Sequence, residues 1–123
     1  VADYRPEVVA ENKIKKSDEN LTIHMVKNPD ILAYVGEHKT HQIICGFAME
    51  TQDLDENAKA KCIKKNCDIL IGNNLFTKGA GFQGDTNVVS FVTQESIQHW
   101  PKQTKAELGK KILQAMIEIE KRQ

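Results

Sequence analysis

Lys61 and Lys65 lie four residues apart in the stretch from Ile43 to Lys65, and on a helix that spacing sets both ammonium groups on one face. Two amines so placed can jointly hold a polyanion such as a triphosphate. Ahead of them stand Gly46, Phe47 and Ala48, whose two small residues would let another molecule approach the backbone on either side of Phe47. The same lysines also have a plainer reading, because Lys59, Lys61, Lys64 and Lys65 fall within seven residues, as charges on a solvated helix face often do. Spacing alone does not separate the two.

The elements that must position these groups can be read around them. Ile43-Ile44-Cys45 is a short apolar run opening into Gly46-Phe47-Ala48, and its lack of alternation predicts a strand buried on both faces, as in a parallel sheet covered by helices. After Thr51 the pattern becomes helical, with Asp53, Asp55 and Glu56 first and the lysines last, the charge order that a helix dipole favours. In open α/β sheets ligands bind at the carboxyl ends of the strands, which is where Gly46 to Ala48 would lie. Cys67 to Gly72 is a second apolar run, and the strand-helix-strand order predicts parallel strands with a right-handed crossover. The glycine-rich Lys78 to Asp85 invites comparison with phosphate-binding loops, but a strand rather than a helix follows it, so it reads as a turn-rich connection.

Upstream, Val1 to Pro6 reads as the end of a strand entering a loop, and Arg5 to Asn20 is a polar stretch carrying Lys13, Lys15 and Lys16 that predicts a mobile loop. Leu21 to Val26 suits a strand near a sheet edge. Asn28 is placed to cap a helix with Pro29 in its first turn and Ile31, Leu32 and Val35 as its buried stripe, ending between Gly36 and Lys39. Downstream, Asn87 to Val92 and Ile97 to Trp100 predict a β-hairpin, with Trp100 as a packing residue. Thr104 and Glu107 form a capping box ahead of Leu108, Ile112, Ala115, Met116 and Ile119 at helical spacing. Together the elements predict an α/β chain, a Rossmann-like three-layer fold with a mainly parallel sheet plus a β-hairpin, its amino-terminal part missing.

Composition narrows the partners. The 123 residues suit one domain, and seventeen basic residues balance seventeen acidic ones, so no global field draws the chain to nucleic acid or an anionic membrane. No apolar run approaches the roughly 18 residues that span a bilayer, and a cytoplasmic protein is expected. Cys45, Cys62 and Cys67 lack metal-site spacing and read as small buried residues; the four histidines receive no role.

Taken together, VADYRP, KIKK, MVKNPDI, GFAMET, KAKCIKKNCD and GAGFQGDTN, in this order over nearly the whole chain, resemble the phosphopantothenoylcysteine synthetase family of coenzyme A biosynthesis, specifically its carboxyl-terminal part. The resemblance implies a ligase that uses CTP with Mg2+ to convert 4′-phosphopantothenate to an acyl-cytidylate, releasing pyrophosphate, before the amine of cysteine displaces CMP. It implies CTP contacts at Asp3, Lys13, Pro29, Asp30, Ile31, Leu32, Phe47, Lys61 and Lys65, with Lys13 also catalytic in turnover of the intermediate. It further implies a homodimer, for which the hairpin from Asn87 to Trp100 offers an edge, and a fused or associated phosphopantothenoylcysteine decarboxylase. The family's glycine-rich first turn and an asparagine tied to acyl-cytidylate formation are absent from the sequence, so the chain is expected to be part of one synthetase domain. A non-catalytic nucleotide-binding module, or an inactive fragment, is the alternative.

Overall fold

A computed structural model describes residues 2–74 and 84–123, so most of the glycine-rich connection from Lys78 to Asp85 lies outside the described residues. The chain divides into two compact units, Val1–Ile31 and Leu32–Gln123. In the first, strands β1 (Tyr4–Pro6) and β2 (Met25–Lys27) pair antiparallel with Arg5 opposite Val26. Between them residues 7–24 form neither helix nor strand, and each is exposed. The strand expected over Leu21 to Val26 is therefore shorter: Leu21 and Ile23 are exposed, and an alternating pattern holds a strand only where one face is buried.

Asn28 does not cap a helix. Its side-chain amide donates to the Ala2 carbonyl (2.8 Å) and accepts from the Arg5 guanidinium (3.1 Å), while its N–H donates to the Asp3 carbonyl (2.8 Å). Helix α1 (Ile31–His38) starts three residues later, because these bonds hold Asn28 to β1 instead. The expected stripe is also narrower. Ile31 and Val35 are exposed, and Leu32 alone of the three packs on the core.

The second unit continues with β3 (Cys45–Glu50), α2 (Leu54–Lys64), β4 (Ile69–Asn74), β5 (Thr86–Asn87), β6 (Val89–Val92), β7 (Ile97–His99), β8 (Gln103–Thr104) and α3 (Lys105–Lys121). Its main sheet has the order β3-β4-β6-β7. β3 and β4 are parallel, as their crossover through α2 requires, but β4–β6 and β6–β7 are antiparallel, so the sheet is mixed rather than mainly parallel. The reason is local: no helix intervenes between β6 and β7, whose connection closes on itself. Thr93 N–H donates to the Ser96 carbonyl (2.9 Å), and Thr93 Oγ1 accepts from Ser96 N–H (3.0 Å). The hairpin thus joins the sheet of its own chain. β5 and β8 form a separate antiparallel pair. There the buried Gln103 amide has neither its nitrogen nor its oxygen hydrogen-bonded among the described residues.

Each face of the main sheet carries its own core. Ile44, Ala48, Leu70 and Val92 pack with Ala58 and Cys62 of α2, with Cys67, and with Leu32 of α1. Ile69, Ile71, Val89 and Phe91 pack with Leu108 and Ile112 of α3, with Ala115, Met116 and Ile119 completing the stripe. Fully burying an Ile, Leu or Val contributes roughly 1.5–3 kcal/mol, and Ile69, Leu70, Ile71 and Val92 are all fully buried, which makes β4 the centre of the unit. Among the described residues β3 is an edge strand, with Phe47 and Met49 exposed, contrary to the expectation of burial on both faces. A run of apolar residues carries no record of whether a neighbouring strand flanks it.

The entry to both parallel strands is clasped by Asp68. Its carboxylate accepts from Ile44 N–H (2.8 Å) and from the Lys39 ammonium (2.9 Å), while the Ile44 carbonyl accepts from the N–H groups of Asp68 and Ile69. Trp100 stacks on Phe91 with ring centroids 4.7 Å apart, and the Lys111 ammonium lies 5.6 Å from the Trp100 ring. Thr104 caps α3 by accepting from Glu107 N–H (3.1 Å), and its hydroxyl donates to the Glu107 carboxylate (2.8 Å). No helix among the described residues is long and apolar enough to cross a membrane.

Candidate functional site

In the second unit the Lys61 ammonium meets Glu50 at the carboxyl end of β3, whereas Gly46 and Phe47, expected at that end, are the second and third residues of the strand, and Lys65 stands at the end of α2 that leads into β4. Gly46 and Ala48 are buried between exposed side chains because β3 turns alternate residues toward α2, and the side chain of Leu32 presses close over Gly46. A Cβ built on Gly46 would stand 2.6 Å from Leu32 Cδ2. Phe47 points to the other face and is exposed. Glu50 ends the strand opposite Asn74. The chain then turns through Asp53, whose φ of 46° lies in the left-handed region that Asp tolerates better than most residues, and enters α2.

α2 carries Lys61 and closes with Lys65 as its C-cap, whose N–H donates to the Lys61 carbonyl at 2.9 Å. That i to i+4 bond keeps the two lysines on one face, as their spacing implied. Their surroundings differ. The Lys61 ammonium donates to the Glu50 carboxylate in a close ion pair, the lysine side chain 42% exposed and the glutamate 14%. Lys65 is half-buried, and its carbonyl lies directly against Gly36 of α1, where Asn66 also donates to the Gly36 carbonyl (3.0 Å).

The first unit brings Asp3 beside the segment from Asn28 to Asp30, because the Asp3 carbonyl accepts from Asn28 N–H. Asp3, Pro29, Asp30 and Ile31 are all exposed, and Lys13 lies in the exposed stretch between the strands. Leu32, by contrast, spends its side chain on core packing.

Two features escaped the sequence. Glu50 carries no signal in the sequence, because only the fold brings the end of a strand to the interior of the following helix, eleven residues on. The second is a polar cluster in which both oxygens of Asp55 are engaged, one accepting from the buried Ser90 hydroxyl (3.1 Å) and the other 2.7 Å from His99 Nε2. Nothing in the spacing of these three residues announces it. Burial, and next the neighbouring Cys67 and Cys62, push the Cys45 thiol up to about 12, and burial foremost pushes Cys62 up to about 11, which disfavours the thiolate at both. No group of three or more His, Cys, Asp or Glu side chains suited to a metal ion occurs among the described residues.

Comparison with known proteins decides the family. Residues 1–119 match the model of the DNA/pantothenate metabolism flavoprotein C-terminal domain. The chain belongs to this family. Relatives of the C-terminal domain include the coenzyme A biosynthesis bifunctional protein CoaBC of Bacillus subtilis, 38% identical over 122 residues that cover 98% of this chain and 30% of that protein. CoaBC of Vibrio cholerae is 41% identical over 116 residues, covering 92% of this chain and 29% of that protein. A crystal structure of the C-terminal domain of CoaBC superimposes with a TM-score of 0.70 at 29% identity, covering 99% of this chain and 50% of the solved one. The DNA/pantothenate metabolism flavoprotein from Streptococcus pneumoniae gives 0.68 at 27%, covering 87% and 46%. The resemblance drawn from the motifs is borne out, the chain matching the carboxyl-terminal synthetase part of CoaBC. It spans about 30% of the length of these curated relatives.

Proposed function

We propose that this chain supplies nucleotide-binding residues to a CTP-dependent phosphopantothenate–cysteine ligase. The observation that carries the reading is the Lys61 ammonium, drawn to the carboxyl end of the parallel pair β3 and β4, the end at which open α/β sheets take their ligands. Lys61 and Lys65 neutralise the triphosphate, and the exposed ring of Phe47 offers an apolar surface to the nucleoside. Asp3, Lys13, Pro29, Asp30, Ile31 and Leu32 enter by family resemblance. In the first step a carboxylate oxygen of 4′-phosphopantothenate attacks the α-phosphorus of CTP, forming the acyl-cytidylate and expelling pyrophosphate. The amine of cysteine then attacks the acyl carbon, CMP leaves, and the amine proton passes to solvent. Lys13 acts in this second step, where a charge delivered from the exposed stretch stabilises the intermediate without serving nucleotide capture.

Magnesium fits the same scheme as an ion carried by the phosphates. Mg2+ usually keeps several waters and binds through one or two carboxylates plus substrate oxygens, which requires no cage of protein ligands. A Rossmann-like three-layer arrangement, a homodimer joined along the β7 edge, a fused or associated phosphopantothenoylcysteine decarboxylase, and a cytoplasmic setting complete the proposal. The test is isothermal titration of CTP with magnesium into the protein and its Lys61→Ala, Lys65→Ala double variant. Each lost charge-assisted contact should weaken binding by about 1.5–3 kcal/mol. Unchanged affinity would return both lysines to the role of solvated charges.

A further inference from the structure

Glu50 stands where a strand's last residue meets the middle of the next helix. Its carboxylate is largely withdrawn from water at 14% exposure, and a carboxylate so placed requires a partner; Lys61 provides it. The backbone of Lys61 does not itself stand at that end of the sheet. Ala58, one turn earlier, packs at the level of Gly72, and Cys62, the next residue, packs with Cys67 below the start of β4. Glu50 pairs in register with Asn74, beyond Gly72. The lysine side chain therefore runs back along α2, in the direction that helical Cα–Cβ bonds tilt, to deliver its ammonium at the carboxyl end of β3.

We propose that Glu50 is the positioning residue for Lys61, holding the ammonium where a nucleotide triphosphate is received. The inference rests on the nucleotide reading given above. A lysine carries a compact charge on a flexible four-carbon stem, and without an anchor the ammonium samples a wide volume of solvent. With one of its three N–H donors on Glu50, two remain for phosphate oxygens, so the anchor need not be released when the polyanion arrives. The alternative role for a carboxylate beside a phosphate-binding lysine is electrostatic opposition, and the two roles predict effects of opposite sign. Opposition means that removing the negative charge tightens nucleotide binding, whereas positioning means that it weakens it.

The experiment measures kcat and KM for CTP by pyrophosphate release, in the natural protein that carries this chain, for Glu50→Gln, Glu50→Asp, Lys61→Ala and the Glu50→Gln, Lys61→Ala double variant. Glu50→Gln should raise KM for CTP about tenfold with kcat within about twofold. Glu50→Asp, which keeps the charge on a shorter stem, should recover part of the loss. The double variant should be no worse than Lys61→Ala alone, since the glutamate acts through the lysine. A lowered KM in Glu50→Gln, or losses that add in the double variant, would overturn the positioning role. Should Glu50→Gln fail to fold, Glu50→Asp decides: a raised KM with the charge kept supports positioning, and an unchanged or lowered KM overturns it. An unchanged KM in Lys61→Ala refutes the nucleotide reading, whereas a raised KM there with no rise in Glu50→Gln refutes only the positioning role of Glu50.

Discussion

Gly36→Ala is expected to behave opposite to helix propensity. In the interior of a helix alanine is favoured over glycine by about 1 kcal/mol. Gly36 lies inside α1, but it is buried against the turn after α2, and a Cβ built there would stand 1.8 Å from the Lys65 carbonyl oxygen and 2.9 Å from its carbon. Both atoms belong to backbone, so relief requires α1 and the chain at Lys65 to separate by more than an ångström. Overpacking of this kind costs about 1–3 kcal/mol or more. The separation also strains the Asn66 to Gly36 hydrogen bond, a further ~1 kcal/mol. Set against the propensity gain, the net expectation is a loss of about 1–3 kcal/mol, or roughly 4–12 °C in Tm for a chain of this size. Gly109→Ala supplies the internal control. Gly109 sits in α3 with nothing within 4 Å of a built Cβ, so the same change should stabilise by about 0.5–1 kcal/mol. Urea unfolding followed by far-UV circular dichroism measures both. A neutral or stabilising Gly36→Ala would show that α1 does not approach Lys65 as closely as described.

Two further outcomes are expected. Gln103→Met should raise stability by about 1–3 kcal/mol in the same unfolding measurement, because it removes two buried amide atoms that lack partners among the described residues while keeping the volume of the side chain. For the thiols the sign follows from pKa values raised to about 12 and about 11 above an ordinary 9.0: the folded state holds its protons longer than the unfolded state, so stability is complete below about pH 9 and declines as pH rises toward 11 and 12. Mass spectrometry of iodoacetamide labelling at pH 8.5 should accordingly find Cys45 and Cys62 protected in the folded protein and labelled in urea. Rapid labelling without urea would contradict their burial.

What the sequence disclosed was whatever is decided locally. Thr104 with Glu107 and the stripe from Leu108 to Ile119 specify α3 within a few turns, and the helix appears with that cap and that buried face. The β3-α2-β4 crossover was legible because periodicity changes sharply on either side of Thr51 and again at Cys67. Failures came where a neighbour distant in sequence decides. Asn28 has the side chain of a helix cap, yet Ala2 and Arg5 claim it. Ile43 to Ala48 has the composition of a central strand but, among the described residues, stands at an edge. Of the candidate site, Lys61 and Lys65 were visible as a spacing, whereas the glutamate that holds one of them was not, because a strand end and a helix interior have no sequence relation until the sheet is built.

The clasp formed by Asp68 has a consequence for how this unit tolerates change. Lys39 and Ile44, five residues apart, are locked to Asp68, more than twenty residues on, at the amino ends of β3 and β4, while the opposite ends of the same strands carry Glu50 and the turn through Asp53. The Ile44 amide, bonded to a carboxylate in a buried setting, should exchange with solvent only when the whole unit opens, and amides near Glu50 much sooner. One end of the strand pair is thereby a fixed foundation and the other a platform free to be rebuilt. A substitution's height along that axis foretells whether a denaturation curve or a kinetic assay will register it first.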